Sequence, residues 1–147
     1  MTRIDFYVLA EADEESRSHF CCRLADRARQ QGHAIYVHTS DAAAAQRIDA
    51  LLWDYPRHAF VPHGLAGSSA AAGATVVIGH GNDPVDHDDV LINLSDAVPE
   101  FFTRFARIAE IVIQAPAARA GGRDRFRFYR ERGYPLHHHD MKDWSDE

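Results

Sequence analysis

Short β-forming runs alternate with segments of helical periodicity along this chain, and this alternation limits the fold more than any other feature. "RIDFYVLA" (3–10) and "HAIYVHT" (33–39) predict strands, and "DEESRSHFCCRLADRARQQG" between them predicts a helix that Gly32 ends. Strands that alternate with helices form a parallel sheet covered on both faces. We therefore predict one α/β domain, a Rossmann-like three-layer α/β/α fold with a largely parallel sheet of about five strands. The remaining predicted strands are 75–81, 89–96 and 108–115. Three further helices are predicted: one that begins after Ser40 and Asp41 and extends to Trp53, one over 100–106 and one over 117–132.

The predicted domain covers residues 1–134, and residues 135–147 are predicted to be a polar tail with one apolar anchor, Trp144. Cys21 and Cys22 are adjacent, which suits neither a redox pair nor a zinc site, so we expect both to be small apolar residues on the first helix. No run reaches the roughly 18 apolar residues of a membrane span, and the N-terminus does not resemble a signal peptide. The expected location is the cytoplasm, with no membrane partner.

Nucleotide-binding motifs are missing from the positions where this fold would need them. The junction "LAEADEES" after the first strand has no glycine and carries four carboxylates, and "GLAGSSAAAG" (64–73) lacks the Gly-Lys-Ser/Thr ending of a phosphate-binding loop. No cofactor is therefore predicted. One enzymatic alternative stays open: a metal-dependent nucleotide hydrolase or nuclease that uses the acidic loop "NDPVDHDD" (82–89). It requires one divalent ion bound jointly by Asp83, Asp86, Asp88 and Asp89.

Positive charge is concentrated near the end of a chain whose formal net charge is −6. Eight arginines lie between positions 104 and 132, against Glu110, Asp124 and Glu131. An acidic body repels a phosphate backbone, so non-specific binding of duplex DNA through a broad basic face is not expected. A local basic patch suits a small acidic partner such as a peptide. Direct binding of nucleic acid by the arginines and aromatics of the last helix remains a further alternative.

The stretch "RDRFRFYRERGY" (123–134) places several of these arginines on one side of the last predicted helix. At about 100° per residue, four arginines fall within about 80° of one another on the helix, with Phe126 at the border. Arg125 and Arg132 fall elsewhere, and we expect them to be solvent-exposed or structural charges. The four are Arg119, Arg123, Arg127 and Arg130.

Two stretches, "WDYPRHAFVPHGLAG" (53–67) and "RDRFRFYRERGY", resemble the chi subunit of bacterial DNA polymerase III holoenzyme. The opening "DFYVL", the segment "RIDALLW", the strand "DVLINLS" and the length are also similar to that family. One departure is Ser68, which stands where the family has a glutamate. The matching positions in the first stretch are Trp53, Pro56, Phe60, Pro62, His63, Leu65, Ala66 and Gly67.

The resemblance implies a non-catalytic accessory subunit of the clamp-loader complex, which contributes to DNA polymerase activity only through the holoenzyme. In this family the protein bridges the clamp loader, through a small partner called psi, to single-stranded DNA-binding protein (SSB), whose acidic C-terminal tail ends in a phenylalanine carboxylate. Specific binding of DNA is not expected. The resemblance places tail binding on Arg119, Arg123, Phe126 and Arg127, with Val112 on the preceding strand as a pocket wall. It places the surface for psi or another partner on Trp53, Phe60, Val61, Pro62 and Leu65.

Overall fold

The computed structural model describes residues 1–54, 61–84, 86–142 and 144. Within those residues the chain forms seven strands, three α-helices and two short 3-10 turns. The strands are β1 Arg3–Leu9, β2 Ile35–Thr39, β3 His63–Leu65, β4 Val76–His80, β5 Val90–Asn93, β6 Arg107–Val112 and β7 Leu136–Met141. The helices are α1 Glu14–Gln30, α2 Ala42–Asp54 and α3 Pro116–Glu131, and the 3-10 turns are Ser69–Ala71 and Phe102–Arg104.

The strands form a single sheet in the order β3-β4-β2-β5-β6-β1-β7. Every strand pairing among the described residues is parallel. Parallel neighbours need crossover connections, and the helices of the alternating pattern supply several of them. The predicted single α/β domain with a parallel sheet is therefore confirmed.

Helices cover both faces of this sheet because alternate residues of each strand point to opposite sides. One buried cluster joins Leu9 and Val37 to apolar residues of α1 and α2, and a second joins Ile4 and Phe6 to Tyr129 of α3. Thus α1 and α2 lie on one face and α3 on the other. No helix among the described residues is long and apolar enough to cross a membrane.

Local signals in the sequence set the helix ends. Asp13 and Asp41 each accept a hydrogen bond from the amide three residues on, at 3.0 and 2.8 Å, which caps α1 and α2. Pro116 stands in the first turn of α3, where its missing N–H costs nothing. Gly32 and Gly133, just after α1 and α3, have φ of +92° and +78°, which glycine adopts readily. The helix predicted for 100–106 is only the 3-10 turn Phe102–Arg104.

The two adjacent cysteines are core residues of α1, as predicted. Cys21 and Cys22 expose 0% and 1% of their surface and are free thiols. Burial raises the pKa of the Cys22 thiol to about 12, and it also raises the pKa of Cys21. Both side chains therefore act as small apolar groups, because the reactive thiolate form is suppressed.

The sheet has two more strands than the sequence predicts. Strand β3 has only three residues, too few for a periodic pattern. Strand β7 lies within the segment predicted to be a polar tail (135–147), and it pairs in parallel with β1 at the edge of the sheet. Its sequence, "LHHHDM", lacks the apolar pattern of a central strand because most of its side chains are exposed or half-buried. Beyond it, Trp144 is buried as predicted, and its indole N–H donates to Glu11 at 3.1 Å.

A buried carboxylate helps to attach β7 to the sheet. Asp5 is 2% exposed, and its oxygens lie 3.1 Å from Arg3, 3.3 Å from Arg107 and 2.8 Å from Nε2 of His139 in β7. Burial by itself raises the pKa of Asp5, but the hydrogen bonds from His139 and Arg3 and the charge of Arg107 outweigh it. The pKa of Asp5 is consequently lower than the usual 3.8.

The variant Asp5→Asn is expected to lose roughly 1–3 kcal/mol of unfolding free energy at neutral pH. A carboxylate with a lowered folded-state pKa stabilises the protein above its unfolded-state pKa, and this contribution disappears as the pH falls through the folded-state pKa. The difference between wild type and variant should therefore shrink below about pH 3.8. Urea denaturation of both proteins across this pH range measures it, and a difference independent of pH would contradict the assignment.

Candidate partner-binding surfaces

Helix α3 lies very close to the sheet at one point. A Cβ atom on Gly122 would lie 3.0 Å from Cγ2 of Val112 on β6, which is closer than most real Cβ contacts, so that Val112 would have to move by a few tenths of an ångström. Glycine therefore allows this crossing without displacing Val112, although glycine costs roughly 1 kcal/mol in a helix interior. Val112 is 8% exposed and lies beneath Gly122 of α3.

The inner face of α3 is fixed by a buried polar network around Glu110 of β6. Glu110 is fully buried, and its carboxylate accepts hydrogen bonds from Arg125 Nε, from the Tyr129 hydroxyl and from Asn93 Nδ2, at 2.8, 2.8 and 2.9 Å. Arg125 also donates to the Asp96 carbonyl at 3.1 Å. Burial, with the nearby charge of Glu110, raises the pKa of Tyr129 far above its usual value. Arg125 was predicted to be either a solvent-exposed or a structural charge, and it is a structural one.

This network was not predicted from the sequence. A signal for it exists, because Glu110 is the one charged residue within the apolar run "IAEIVIQA". A carboxylate in the middle of a strand buried on both faces requires partners inside the protein. Arg125 and Tyr129, four residues apart, are on the same face of α3 and supply two of them.

The four arginines of the predicted stripe, Arg119, Arg123, Arg127 and Arg130, are all solvent-exposed. We call this set the arginine stripe. Among the described residues, Arg127 pairs with Asp124 at 3.6 Å, and no carboxylate forms an ion pair with the other three. That single pair is itself exposed, at 58% and 75% for the two side chains, so solvent screens it strongly. The stripe is a group of guanidinium groups held mostly in water.

Phe126 borders the stripe on the side that turns toward the sheet. It is half-buried, and its ring contacts Phe6 with centroids 5.2 Å apart. The guanidinium carbon of Arg130 lies 6.0 Å from the centre of the Phe126 ring. Phe126 and Val112 both belong to the hydrophobic cluster on this face of the sheet. An apolar edge thus adjoins the arginine stripe.

The chain matches a family model described as "DNA polymerase III chi subunit, HolC" over residues 1–137. This match includes every strand and helix except the last strand, of which it covers the first two residues. The chain belongs to the DNA polymerase III chi subunit family.

Relatives described as DNA polymerase III subunit chi agree with this assignment. The Pseudomonas aeruginosa protein is 47% identical over 139 residues, which cover 95% of this chain and 96% of that protein. The Escherichia coli protein is 30% identical over 116 residues, covering 78% and 79%. The Haemophilus influenzae protein is 29% identical over 132 residues, covering 89% and 92%. The predicted resemblance is therefore confirmed, and with it an accessory role in replication by DNA polymerase III.

The second predicted surface of this chi-family chain lies at the end of α2. Trp53 is 64% exposed in the last turn of α2, while Pro62 and Leu65 are half-buried. Phe60, predicted to belong to the same surface, lies outside the described residues, as does Pro56. Val61 was expected to contact a partner, but it is 1% exposed and packs in the core beneath α2. Its side chain therefore stabilises the fold and does not contribute to the surface.

The carboxylates of the acidic loop 82–89, within the part of it that the structure describes, are not grouped as the enzymatic alternative requires. Asp83 pairs with Arg104 at 2.7 Å, while Asp89 accepts from the backbone amide of Ala34 at 2.9 Å and contacts His33 at 3.1 Å. The two carboxylates therefore serve different structural contacts. Among the residues that the structure describes, no three histidine, cysteine or acidic side chains are grouped so that they could hold a metal ion.

Proposed function

We propose that this chain links the clamp loader of DNA polymerase III, through psi, to the acidic C-terminal tail of SSB, without a catalytic site of its own. Family membership supports the replication role, and the exposed arginine stripe beside Phe126 supports the choice of ligand. The tail binds at Arg119, Arg123, Phe126 and Arg127, with Val112 at the base of the site. Psi binds at Trp53, Phe60, Pro62 and Leu65.

The observation that carries the proposal is a row of exposed guanidinium groups next to an aromatic edge, of which only that of Arg127 forms an ion pair with a described carboxylate. A guanidinium group presents paired N–H donors that match the two oxygens of a carboxylate. A peptide that is acidic and ends in a phenylalanine carboxylate offers several such acceptors and one ring. The guanidinium groups of the stripe bind the carboxylates, and the apolar edge at Phe126 contacts the ring.

Charge distribution favours this ligand over duplex DNA. The chain carries a formal net charge of −6 although eight of its arginines lie between positions 104 and 132. A DNA backbone would extend past the stripe onto an acidic surface, and repulsion there would oppose binding. A short peptide can bind to the stripe alone.

The test is a fluorescence-anisotropy titration with a labelled peptide that carries the last residues of SSB. Wild type is expected to bind with micromolar affinity, and Arg123→Ala is expected to bind about tenfold more weakly or worse. The reason is that a charge-assisted hydrogen bond contributes roughly 1.5–3 kcal/mol, and 1.4 kcal/mol corresponds to a factor of ten.

The matched control is Arg132→Ala, because Arg132 is also exposed, follows α3 directly and lies over the ring of Phe128, away from the stripe. It removes the same charge and should leave the affinity within about a factor of two. Unlabelled tail peptide should displace the labelled one, whereas naked single-stranded DNA should not. Equal affinities for wild type and Arg123→Ala would refute the tail-binding site. Displacement of the labelled peptide by naked single-stranded DNA would favour direct nucleic-acid binding.

A further inference from the structure

His63, the histidine of the "FVPH" segment, is a buried residue with an unusual environment. It is 8% exposed, and its Nδ1 atom lies 2.7 Å from the carbonyl oxygen of Val61. A carbonyl oxygen only accepts hydrogen bonds, so Nδ1 carries a proton and donates it. This bond fixes both the tautomer and the orientation of the ring.

The opposite nitrogen of His63 faces helix α2. Its Nε2 atom is buried and has no hydrogen-bond partner among the described residues, while the nearest carboxylate oxygen, Oδ1 of Asp49, is 3.4 Å away. The same imidazole contacts Trp53, with ring centroids 5.0 Å apart and planes at 68°. This edge-to-face arrangement is a favourable one for aromatic rings.

Asp49 and Trp53 are four residues apart on α2, so both side chains lie on the same side of the helix. The imidazole of His63 contacts both residues from β3. It therefore connects the short strand β3 to the last turn of α2. Trp53, although 64% exposed, has a rigid and buried neighbour along one side.

We infer that His63 is a positioning residue that holds the exposed Trp53 indole in one orientation for an apolar side chain of the partner. An exposed tryptophan that already has its bound orientation loses less side-chain entropy when a partner covers it. Such preorganised tryptophans are typical centres of binding energy in interfaces. The claim that a partner covers Trp53 rests on the proposed function, in which the Trp53 surface binds psi. The claim that His63 orders the indole concerns the free protein alone.

Fluorine NMR of the full chain labelled with 5-fluorotryptophan tests the ordering directly. The chain has two tryptophans, so Trp53 gives one signal, and buried Trp144 gives an internal reference for the fold. His63→Asn keeps an N–H donor for the Val61 carbonyl and removes the ring beside Trp53. The Trp53 signal is expected to shift and to show a larger difference between H2O and D2O, while the Trp144 signal stays in place. An unchanged Trp53 signal would overturn the inference.

A second variant covers the case in which His63→Asn perturbs the fold and moves the Trp144 signal. Asp49→Asn removes the charge that faces Nε2, and Asp49 is partly exposed, so the fold should tolerate the change. The Trp53 signal is again expected to shift, because a neutral amide of the same shape replaces the carboxylate beside Nε2 and can donate a hydrogen bond to it, which changes how the imidazole is held against the indole. If Trp53 is unaffected in this variant, the inference fails.

Measuring the affinity of each variant for psi tests the positioning role of His63 separately from the proposed psi surface. Trp53→Ala should lose most of the affinity, and His63→Asn should weaken binding by about two- to tenfold, the ratio expected for ordering one side chain. Wild-type affinity in Trp53→Ala would refute the proposed psi surface, and the NMR signals would still decide the ordering. Loss of affinity in Trp53→Ala with no change in His63→Asn would overturn the positioning role itself.

Discussion

Replacing Glu110 with alanine is expected to lower the free energy of unfolding by about 3–5 kcal/mol. The substitution leaves the guanidinium group of Arg125 and the hydroxyl of Tyr129 buried without their carboxylate acceptor. A buried charge without its counter-charge is costly, because the hydrogen bond that Arg125 keeps to the Asp96 carbonyl supplies no negative charge. Urea denaturation followed by far-UV circular dichroism would measure the loss, provided that the slope of the transition does not change.

The matched control for this prediction is Asp124→Ala, which removes an exposed carboxylate from α3. Its ion pair with Arg127 is solvent-exposed, so its loss should change the free energy of unfolding by at most about 0.5 kcal/mol. Glu110→Gln should fall between the two, because an amide keeps an acceptor oxygen for Arg125 but no charge. If Glu110→Ala were as mild as Asp124→Ala, the network would not hold α3 on the sheet.

Reversing two charges of the arginine stripe is expected to remove nearly all binding of the SSB tail. In Arg119→Glu/Arg123→Glu, two charge-assisted hydrogen bonds are lost and two repulsive carboxylates appear. At roughly 1.5–3 kcal/mol for each lost bond, the dissociation constant should rise by about a hundredfold or more. The same anisotropy titration measures this change, and raising the salt concentration should weaken the remaining wild-type binding.

Arg27→Glu/Arg47→Glu is the control for the double reversal. Both of these arginines are exposed, on α1 and α2, and this variant changes the net charge by the same amount. It should bind the peptide within a fewfold of wild type, since long-range charge acts mainly through screened repulsion. Equal losses in both double variants would mean that overall charge attracts the peptide and that the stripe is not its site.

The elements that were predictable from sequence are those with a strong local pattern. Strand β1 is rich in apolar β-forming residues, and α1 combines an acidic N-cap at Asp13 with a terminating Gly32, so both are predictable without knowledge of their neighbours. Strand β7 was missed because an edge strand needs only one hydrogen-bonded neighbour and few buried side chains. Its polar residues are held by pairing with β1 and by the contact of His139 with Asp5.

The arginine stripe was predictable for a related reason: helical geometry alone fixes which residues of α3 share a side. Helical geometry does not show what surrounds each side of α3. Arg125 belongs to the same twelve-residue stretch as Arg123 and Arg127, yet its partner Glu110 is fifteen residues earlier in the chain. Val61 illustrates the converse, because a valine within an irregular segment can pack inside or lie outside, and here it packs in the core.

The sequence by itself determined the class of fold, the family and the side of α3 on which four arginines lie, because periodicity and motifs are local properties of the chain. Only the tertiary structure decided that Arg125 is paired internally and that His63 contacts Trp53. It alone also decided that the segment with three histidines completes the sheet. Those facts depend on which distant residues meet, and burial then sets the energy of each contact, since a polar group removed from water needs a partner that the local sequence does not contain.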